Sequence, residues 1–312
     1  MSNMDKSEKI YKVARILDKG VNTLIIILFI LLLLYAGYSL WYTNSIKNDS
    51  FLSDELAQYK PGSGQESLEG LMKMNPDVTS WIVINGTNID YPVVQGDEEE
   101  EYLNKSVLGE FSLAGSIFLS TENERDFSDP YNLVYGHHVE GGAMLADVLE
   151  FRNASFFKKH KLGTLWYPDK DGKARADRIE IFAVIDTNGD DRTVYQDPGK
   201  VKAGQLKGII NHVKKKAVNK RDPGKCERII ALSTCENAVS FERVLLFGKL
   251  VPMTDKEIQK AKEASSGGET TSKSRLQRIL GIFAGVPPWA LITGGILLLI
   301  LLIYVGYRII KR

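Results

Sequence analysis

Ile229-Ile-Ala-Leu-Ser-Thr-Cys235-Glu-Asn-Ala-Val-Ser-Phe-Glu-Arg243-Val-Leu-Leu-Phe-Gly-Lys-Leu250 reads as two β-strands joined by a short polar loop. The first run is apolar and isoleucine-rich (Ile229, Ile230, Leu232), and the second is aliphatic from Val244 to Phe247. A cysteine closes the first strand and an arginine opens the second. If the strands pair as neighbours, thiol and guanidinium come to the same end of one sheet. A thiolate is the nucleophile at neutral pH, and a fixed cation nearby favours the thiolate and can stabilise an oxyanion. A buried structural cysteine beside a surface arginine is the competing reading, so residues elsewhere must decide.

Upstream, the pattern predicts more strands and few helices. Leu52–Tyr59 and Ser67–Met74 read as short amphipathic helices divided by Pro61-Gly-Ser-Gly64. The period then changes to two. Trp81-Ile-Val-Ile84, the turn Asn85-Gly86 and Ile89-Asp-Tyr-Pro-Val-Val94 form a hairpin signal. Further strands are predicted at Gly115–Leu119 and Tyr131–Tyr135, followed by a helix over Ala143–Glu150. Thr164–Tyr167 and Arg178–Ile185 flank Asp169-Lys-Asp-Gly172 as another hairpin. Lysine-rich Val201–Lys216 reads as an exposed helix whose charge is a solvated face rather than a nucleic-acid patch. Asp186-Thr-Asn-Gly-Asp190 begins like a calcium loop, but its glycine is misplaced and no Glu stands at the twelfth position, so it reads as a turn. Many short strands separated by turns indicate a closed or half-closed β-barrel.

Composition narrows the functional classes. The 312 residues carry 40 basic and 39 acidic side chains, a net charge of +1, which gives no global case for a nucleic-acid partner. The two cysteines, Cys226 and Cys235, allow one disulfide at most. That bond would consume Cys235, so both thiols are expected free. No clustered His/Cys set suggests a metal, and no cofactor is implied.

Both ends look membrane-bound. Val21–Trp41 is an apolar run of the length, about 20 residues, that crosses a bilayer, and it follows Lys6, Lys9, Lys12, Arg15 and Lys19. Ala36-Gly37-Tyr38 is a poor cleavage site, which favours an uncleaved signal anchor. A second run from Ala290 to Gly306 is preceded by Trp289 and followed by Arg308, Lys311 and Arg312. The positive-inside rule puts both termini in the cytoplasm and the intervening chain outside.

Four histidines are present. His160 and His212 lie in lysine-rich surroundings and read as surface residues. His137 follows Val134-Tyr135-Gly136 at the end of an apolar strand, where glycine lets the backbone pass closely and present the next side chain at the sheet rim. A strand-end His, a strand-end Cys and a strand-start Arg suit thiol acyl transfer.

At these residues a family resemblance emerges. Leu232-Ser-Thr-Cys235 with Arg243, together with Tyr135-Gly-His137, resembles the sortases, cysteine transpeptidases of Gram-positive cell surfaces. Trp81-Ile-Val-Ile84, Thr87-Asn-Ile-Asp-Tyr-Pro-Val-Val-Gln95, Tyr102-Leu103 and Tyr135-Gly-His-His-Val-Glu-Gly-Gly-Ala-Met144 are most similar to class B. The resemblance implies a mainly β fold: a closed eight-stranded sortase barrel with N-terminal and peripheral helices, flanked here by two transmembrane helices. It implies Cys235 as nucleophile, His137 as acid/base and Arg243 as the group holding the substrate carbonyl, with Ser233 and Thr234 contacting substrate. No role carries over to His138. The implied reaction is attack on the Thr–Gly bond of an LPXTG-like sorting signal, followed by transfer of the acyl group to an amine.

Two features depart from that class. Class B sortases have an N-terminal anchor alone, whereas a second span is usual in pilus-building class C enzymes. The aromatic lid motif of class C is nevertheless missing before Trp81, and Asp129-Pro130-Tyr131 reads as a turn into the His137 strand. The combination is similar to a class B pilin polymerase, whose acceptor amine is a pilin lysine. The alternatives are an enzyme that attaches surface proteins to peptidoglycan cross-bridges and a non-catalytic membrane scaffold or receptor. The organisation expected is a basic cytoplasmic N-terminus (1–20), a first span (21–41), an extracellular catalytic domain with N-terminal helices (42–263), a flexible linker (264–285), a second span (286–307) and a cytoplasmic tail (308–312).

Overall fold

The structure, a computed structural model, describes residues 2–50, 52–63, 67–139, 142–235 and 242–266. The chain divides into two compact units at the Ser45/Ile46 boundary. Most of the first is helix α1, Ser2–Ser50, which continues past Trp41. Within it Glu8–Tyr42 is one helix long and apolar enough to cross a membrane, with none of its most apolar stretch buried against protein. The expected second span at 286–307 lies outside the described residues.

The second unit begins with two short helices, α2 (Asp54–Ala57) and α3 (Leu68–Met74), capped by the side chains of Ser53 and Ser67. Strands β1 (Val78–Ile84) and β2 (Asp90–Val94) follow as the antiparallel hairpin expected, with Gly86 at φ +78° in its turn. Next come a 3-10 turn at Glu101–Leu103, β3 (Ile117–Leu119), β4 (Tyr131–Tyr135) and the small hairpin of β5 (His138–Val139) and β6 (Ala143–Met144). A 3-10 helix (Ala146–Arg152), α4 (Ala154–Lys159), β7 (Leu162–Pro168) and the long β8 (Ala174–Asn188) lead to α5 (Ala203–Lys216). The chain then forms β9 (Ala217–Lys220), β10 (Ile229–Cys235), β11 (Glu242–Pro252) and α6 (Asp255–Ser266).

Eight strands close into a barrel in the order β11-β10-β4-β3-β2-β1-β7-β8, with β8 pairing back onto β11; β9 adds to the upper half of β8. Alternation along each strand fills the interior. Every one of the eight contributes to one buried cluster, for example Ile82, Val93, Ile117, Val134, Leu165, Ile179, Leu232 and Leu246. The opposite strand faces build two outer clusters. One packs Leu133, Ala231 and Phe247 under Leu206, Ile209 and Val213 of α5. The other packs Trp81 and Trp166 under α3 and α6. β8 serves both sides through an extra residue at Phe182, where the register against β11 shifts between Phe247 and Gly248. Gly248 is needed there, because a Cβ would lie 2.3 Å from Ile179 Cγ2.

Four expectations are corrected. The helix expected over Ala143–Glu150 is β6 followed by a 3-10 helix, because Ala143 and Met144 are taken up in pairing and Met144 sits at φ +54°. The turn at Asp186–Asp190 is strand as far as Asn188. α5 is amphipathic rather than merely exposed. His160 is buried, with its ring 3.8 Å from that of Phe156 and seated where Gly86 has no Cβ.

Candidate active site

Three neighbouring strands, β4, β10 and β11, bring the predicted residues to one end of the barrel. β4 and β10 run parallel, with Tyr135 in register with Ser233. His137 and Cys235 each lie two residues past that pair, so both chains leave it in the same direction. Arg243 opens β11 directly opposite Cys235, and Thr187 of β8 is its partner on the other side. Directly opposed positions on antiparallel strands share a sheet face. The neighbouring-strand pairing on which the sequence argument depended is therefore present.

His137 sits in the two-residue step between β4 and β5 and is half-buried. Its ring Nε2 donates to the Leu103 carbonyl at 2.9 Å. A carbonyl only accepts, so this bond requires a proton on Nε2 and leaves Nδ1 to carry or release the exchangeable one. The His137 carbonyl is held in turn by the Leu145 N–H at 3.1 Å. Gly136 permits this close packing, because a Cβ there would come within 2.8 Å of Leu145 Cγ and 3.2 Å of Ile117 Cγ1. Close approach is thus what the glycine supplies. Leu103 gave no signal in the sequence, since a backbone carbonyl in a 3-10 turn carries no residue-type signature.

Arg243 is half-buried and lines an open groove of about 770 Å³ together with Arg152, Asp186, Thr187, Asn188, Lys216 and Glu242. Its Nη1 donates to the Glu242 carbonyl at 3.3 Å. The wall behind it is fixed by Asp191, whose Oδ2 accepts from Thr187 Oγ1 (3.0 Å), His212 Nε2 (2.9 Å) and Lys216 Nζ (2.7 Å). Burial pushes the Asp191 carboxyl up, but the bonds from Lys216, His212 and Thr187 outweigh it and hold the group well below the usual carboxylate range. His212, read from sequence as a surface residue, is an anchor of this network.

Ser233 and Thr234 are both buried. Ser233 Oγ lies 2.8 Å from Tyr195 Oη, a partner supplied by the β8–α5 connection that sequence reasoning missed. Thr234 lies opposite Val244, and Leu232 and Val244 belong to the barrel interior. Its Oγ1 has no hydrogen-bond partner among the described residues. Cys226 is a free thiol away from this end, and burial pushes its pKa up to about 11. Such a thiol is a poor nucleophile at neutral pH.

No protein-family model matches the chain. Sortase B of Listeria monocytogenes is 30% identical over 256 residues, covering 77% of this chain and 99% of the relative. Among solved structures, a Streptococcus pyogenes class B sortase involved in pilus biogenesis is 37% identical, with a TM-score of 0.52, covering 59% of this chain and 97% of that one. The Staphylococcus aureus sortase B–substrate complex is 29% identical, with a TM-score of 0.52, covering 60% and 85%. With this similarity carried by the closed barrel, the chain belongs to the sortases, in their class B branch. It is a cysteine transpeptidase that acts in surface-protein sorting.

Proposed function

We propose that Cys235, His137 and Arg243 carry the transpeptidation, and that the acceptor is a pilin lysine. The observation that carries this reading is the ladder in which Cys235 is opposed by Arg243 while His137 leaves the adjoining strand at the same end. The Cys235 thiolate attacks the threonine carbonyl carbon of an LPXTG-like signal, and Arg243 neutralises the oxyanion. As the tetrahedral intermediate collapses, the C–N bond breaks and His137 delivers the proton from Nδ1 to the leaving glycine amine. A thioacyl-enzyme remains. An incoming amine attacks it, gives a proton back to His137 Nδ1 and expels the Cys235 thiolate as the new amide forms. Ser233 shares the sheet face of position 235, and its hydroxyl pair with Tyr195 suits hydrogen bonding to an extended peptide, whereas Thr234 alternates to the other face, toward the barrel interior.

The pilin acceptor is supported by the 37% identity to an S. pyogenes class B sortase involved in pilus biogenesis, and by the second apolar run in the sequence at Ala290–Gly306. We place the enzyme in the cell membrane of a Gram-positive bacterium, held by Glu8–Tyr42 and by that second run, with both termini cytoplasmic and the catalytic barrel extracellular. The alternative acceptor, a peptidoglycan cross-bridge amine, requires the same chemistry.

The test uses residues 46–266 with a library of LPXTG-like peptides and intact-mass detection of the adduct on Cys235. Faster resolution by a pilin lysine peptide than by a cross-bridge peptide supports polymerisation. The reverse order makes this a wall-attaching enzyme.

A further inference from the structure

Two stretches of the barrel unit are basic and contain no acidic residue, although Arg152, Lys214 and Lys216 pair with Asp186, Asp222 and Asp191 from outside them. Residues 152–161 carry four Lys/Arg and no Asp or Glu, and residues 202–221 carry seven and none, in a chain whose net charge is only +1. The fold packs these stretches side by side. Asn219 Nδ2 donates to the carbonyls of Phe151 and Arg152 at 2.9 and 2.7 Å. Arg221 bonds the carbonyls of Phe157 and Ile181, and its guanidinium lies 3.9 Å from the centre of the Phe157 ring. Both stretches converge on β8, where Ile181 N–H donates to Lys161 and Arg221 N–H donates to Phe182.

The result is a positive face formed by α4, the end of α5 and β9. Lys158, Lys159, Lys161, Lys215 and Lys220 are exposed on it and make no ion pair among the described residues. Two exposed apolar side chains adjoin these cations in the chain: Leu162 follows Lys161, with Glu180 opposite it on β8, and Val218 lies two residues before Lys220. Leu162 is 41% exposed and Val218 is 47% exposed, two of the four exposed large hydrophobics among the described residues of the barrel unit. Through Arg152 and Lys216 the face runs up to the groove beside Arg243.

We propose that this face docks on an anionic lipid bilayer. Uncompensated lysines are attracted to acidic headgroups, and exposed aliphatic side chains beside them gain by entering the headgroup boundary. A soluble polyanion would be held by the cations alone and has no use for Leu162 and Val218. The same chain carries a helix long and apolar enough to cross a bilayer, so such a surface is at hand. Docking would bring the groove at Arg243 to the membrane surface, whichever amine the enzyme uses.

The test uses residues 46–266. The S. pyogenes structure matched over 97% of its own length corresponds to only 59% of this chain, so an equivalent piece folds alone. Co-sedimentation is measured with phosphatidylcholine vesicles containing or lacking phosphatidylglycerol, at low and high salt. The parent protein is expected to bind only the anionic vesicles and to be released by salt. The triple variant Lys158→Glu/Lys159→Glu/Lys215→Glu should bind roughly a hundredfold more weakly or worse, since each basic residue near such a surface contributes roughly fivefold. Leu162→Ser/Val218→Ser should weaken binding severalfold at unchanged charge. Thermal melts show whether each variant is folded, and charge reversal at Lys161 and Lys220 replaces any variant that is not. Binding that ignores phosphatidylglycerol, or that the charge reversals leave intact, overturns the proposal. So does binding that ignores Leu162→Ser/Val218→Ser while a soluble phosphodiester polymer competes fully, which would make the face a polymer site.

Discussion

Cys235 and Arg243 are direct cross-strand partners on β10 and β11, and Arg243 is flanked on its other side by Thr187 of β8. The backbone of Arg243 is thus held by two ladders at once, a firmer mounting than a loop provides. Arg243→Lys keeps the charge and loses the planar fork. Loss of one oxyanion-stabilising donor usually costs about 10²–10³ in turnover. We expect kcat/KM for an LPXTG-like peptide to fall by that order while the thermal melt stays unchanged. An Arg243→Lys enzyme with near-parental turnover would remove the arginine from the chemistry.

The two adjacent histidines should separate cleanly. His137 leaves β4 beside position 235 and is oriented by the Leu103 carbonyl, whereas His138 is committed to pairing with Met144. His137→Ala is expected to abolish turnover, and His138→Ala to keep a substantial fraction of it. Parallel assays of both variants check this, with equal losses counting against the assignment.

Gly136 offers a way to move His137 without touching it. A methyl at this position would meet Leu145 Cγ at 2.8 Å and Ile117 Cγ1 at 3.2 Å, both in the packed core. Overpacking of this kind costs about 1–3 kcal/mol. Gly136→Ala should therefore lower stability in denaturant by that amount and depress kcat, with partial recovery when Leu145→Val opens space. Failure of Leu145→Val to restore any activity would show that steric contact is not the cause.

How much of this was legible in the sequence depends on the range over which each feature is encoded. The β1–β2 hairpin and the bounds of β4 follow from local alternation and turn chemistry, and they stand as expected. Closure does not, because β8 and β11 meet across dozens of intervening residues with no local mark, and the number eight came from family resemblance. The Ala143–Glu150 helix failed because its apolar spacing serves a hairpin and a 3-10 turn equally well. His160 failed for a related reason: lysines flank it in sequence, but the cavity it fills is made by Gly86, far upstream. For the candidate site, residue types pointed to Cys235, His137 and Arg243, while the Leu103 carbonyl and the Asp191 network became visible only through folding.

Tyr91 links distant segments of the barrel unit. Its hydroxyl donates to the Ser50 carbonyl at 3.1 Å and accepts from the Met144 N–H at 3.1 Å, and burial pushes its pKa up to about 12. Tyr91→Phe removes both bonds and strands two backbone groups, a loss of about 1–3 kcal/mol. Denaturant unfolding should register it. Faster amide exchange at Met144 should accompany the loss, and an unchanged Met144 would sever the hydroxyl from that hairpin.

Asp191 should give the barrel a defined acid dependence. Its side chain is 5% exposed and bonded to Lys216, which is 41% exposed, so the ion pair alone is partly screened by solvent. The carboxyl also accepts from Thr187 and His212, and together these hold its folded pKa below the unfolded value near 3.9. A carboxyl with a depressed folded pKa binds fewer protons in the folded chain than in the unfolded one. Its contribution is therefore complete above about pH 4, shrinks as the unfolded chain begins to take up protons, and is gone once pH has fallen through the folded value. Asp191→Asn should cost about 1.5–3 kcal/mol at neutral pH, the range for hydrogen bonds to a charged group. The gap between parent and variant should close as pH drops below about 4. Urea unfolding at a series of pH values measures it directly, and a gap that stayed constant through the acid range would mean that Asp191 acts by shape and not by charge.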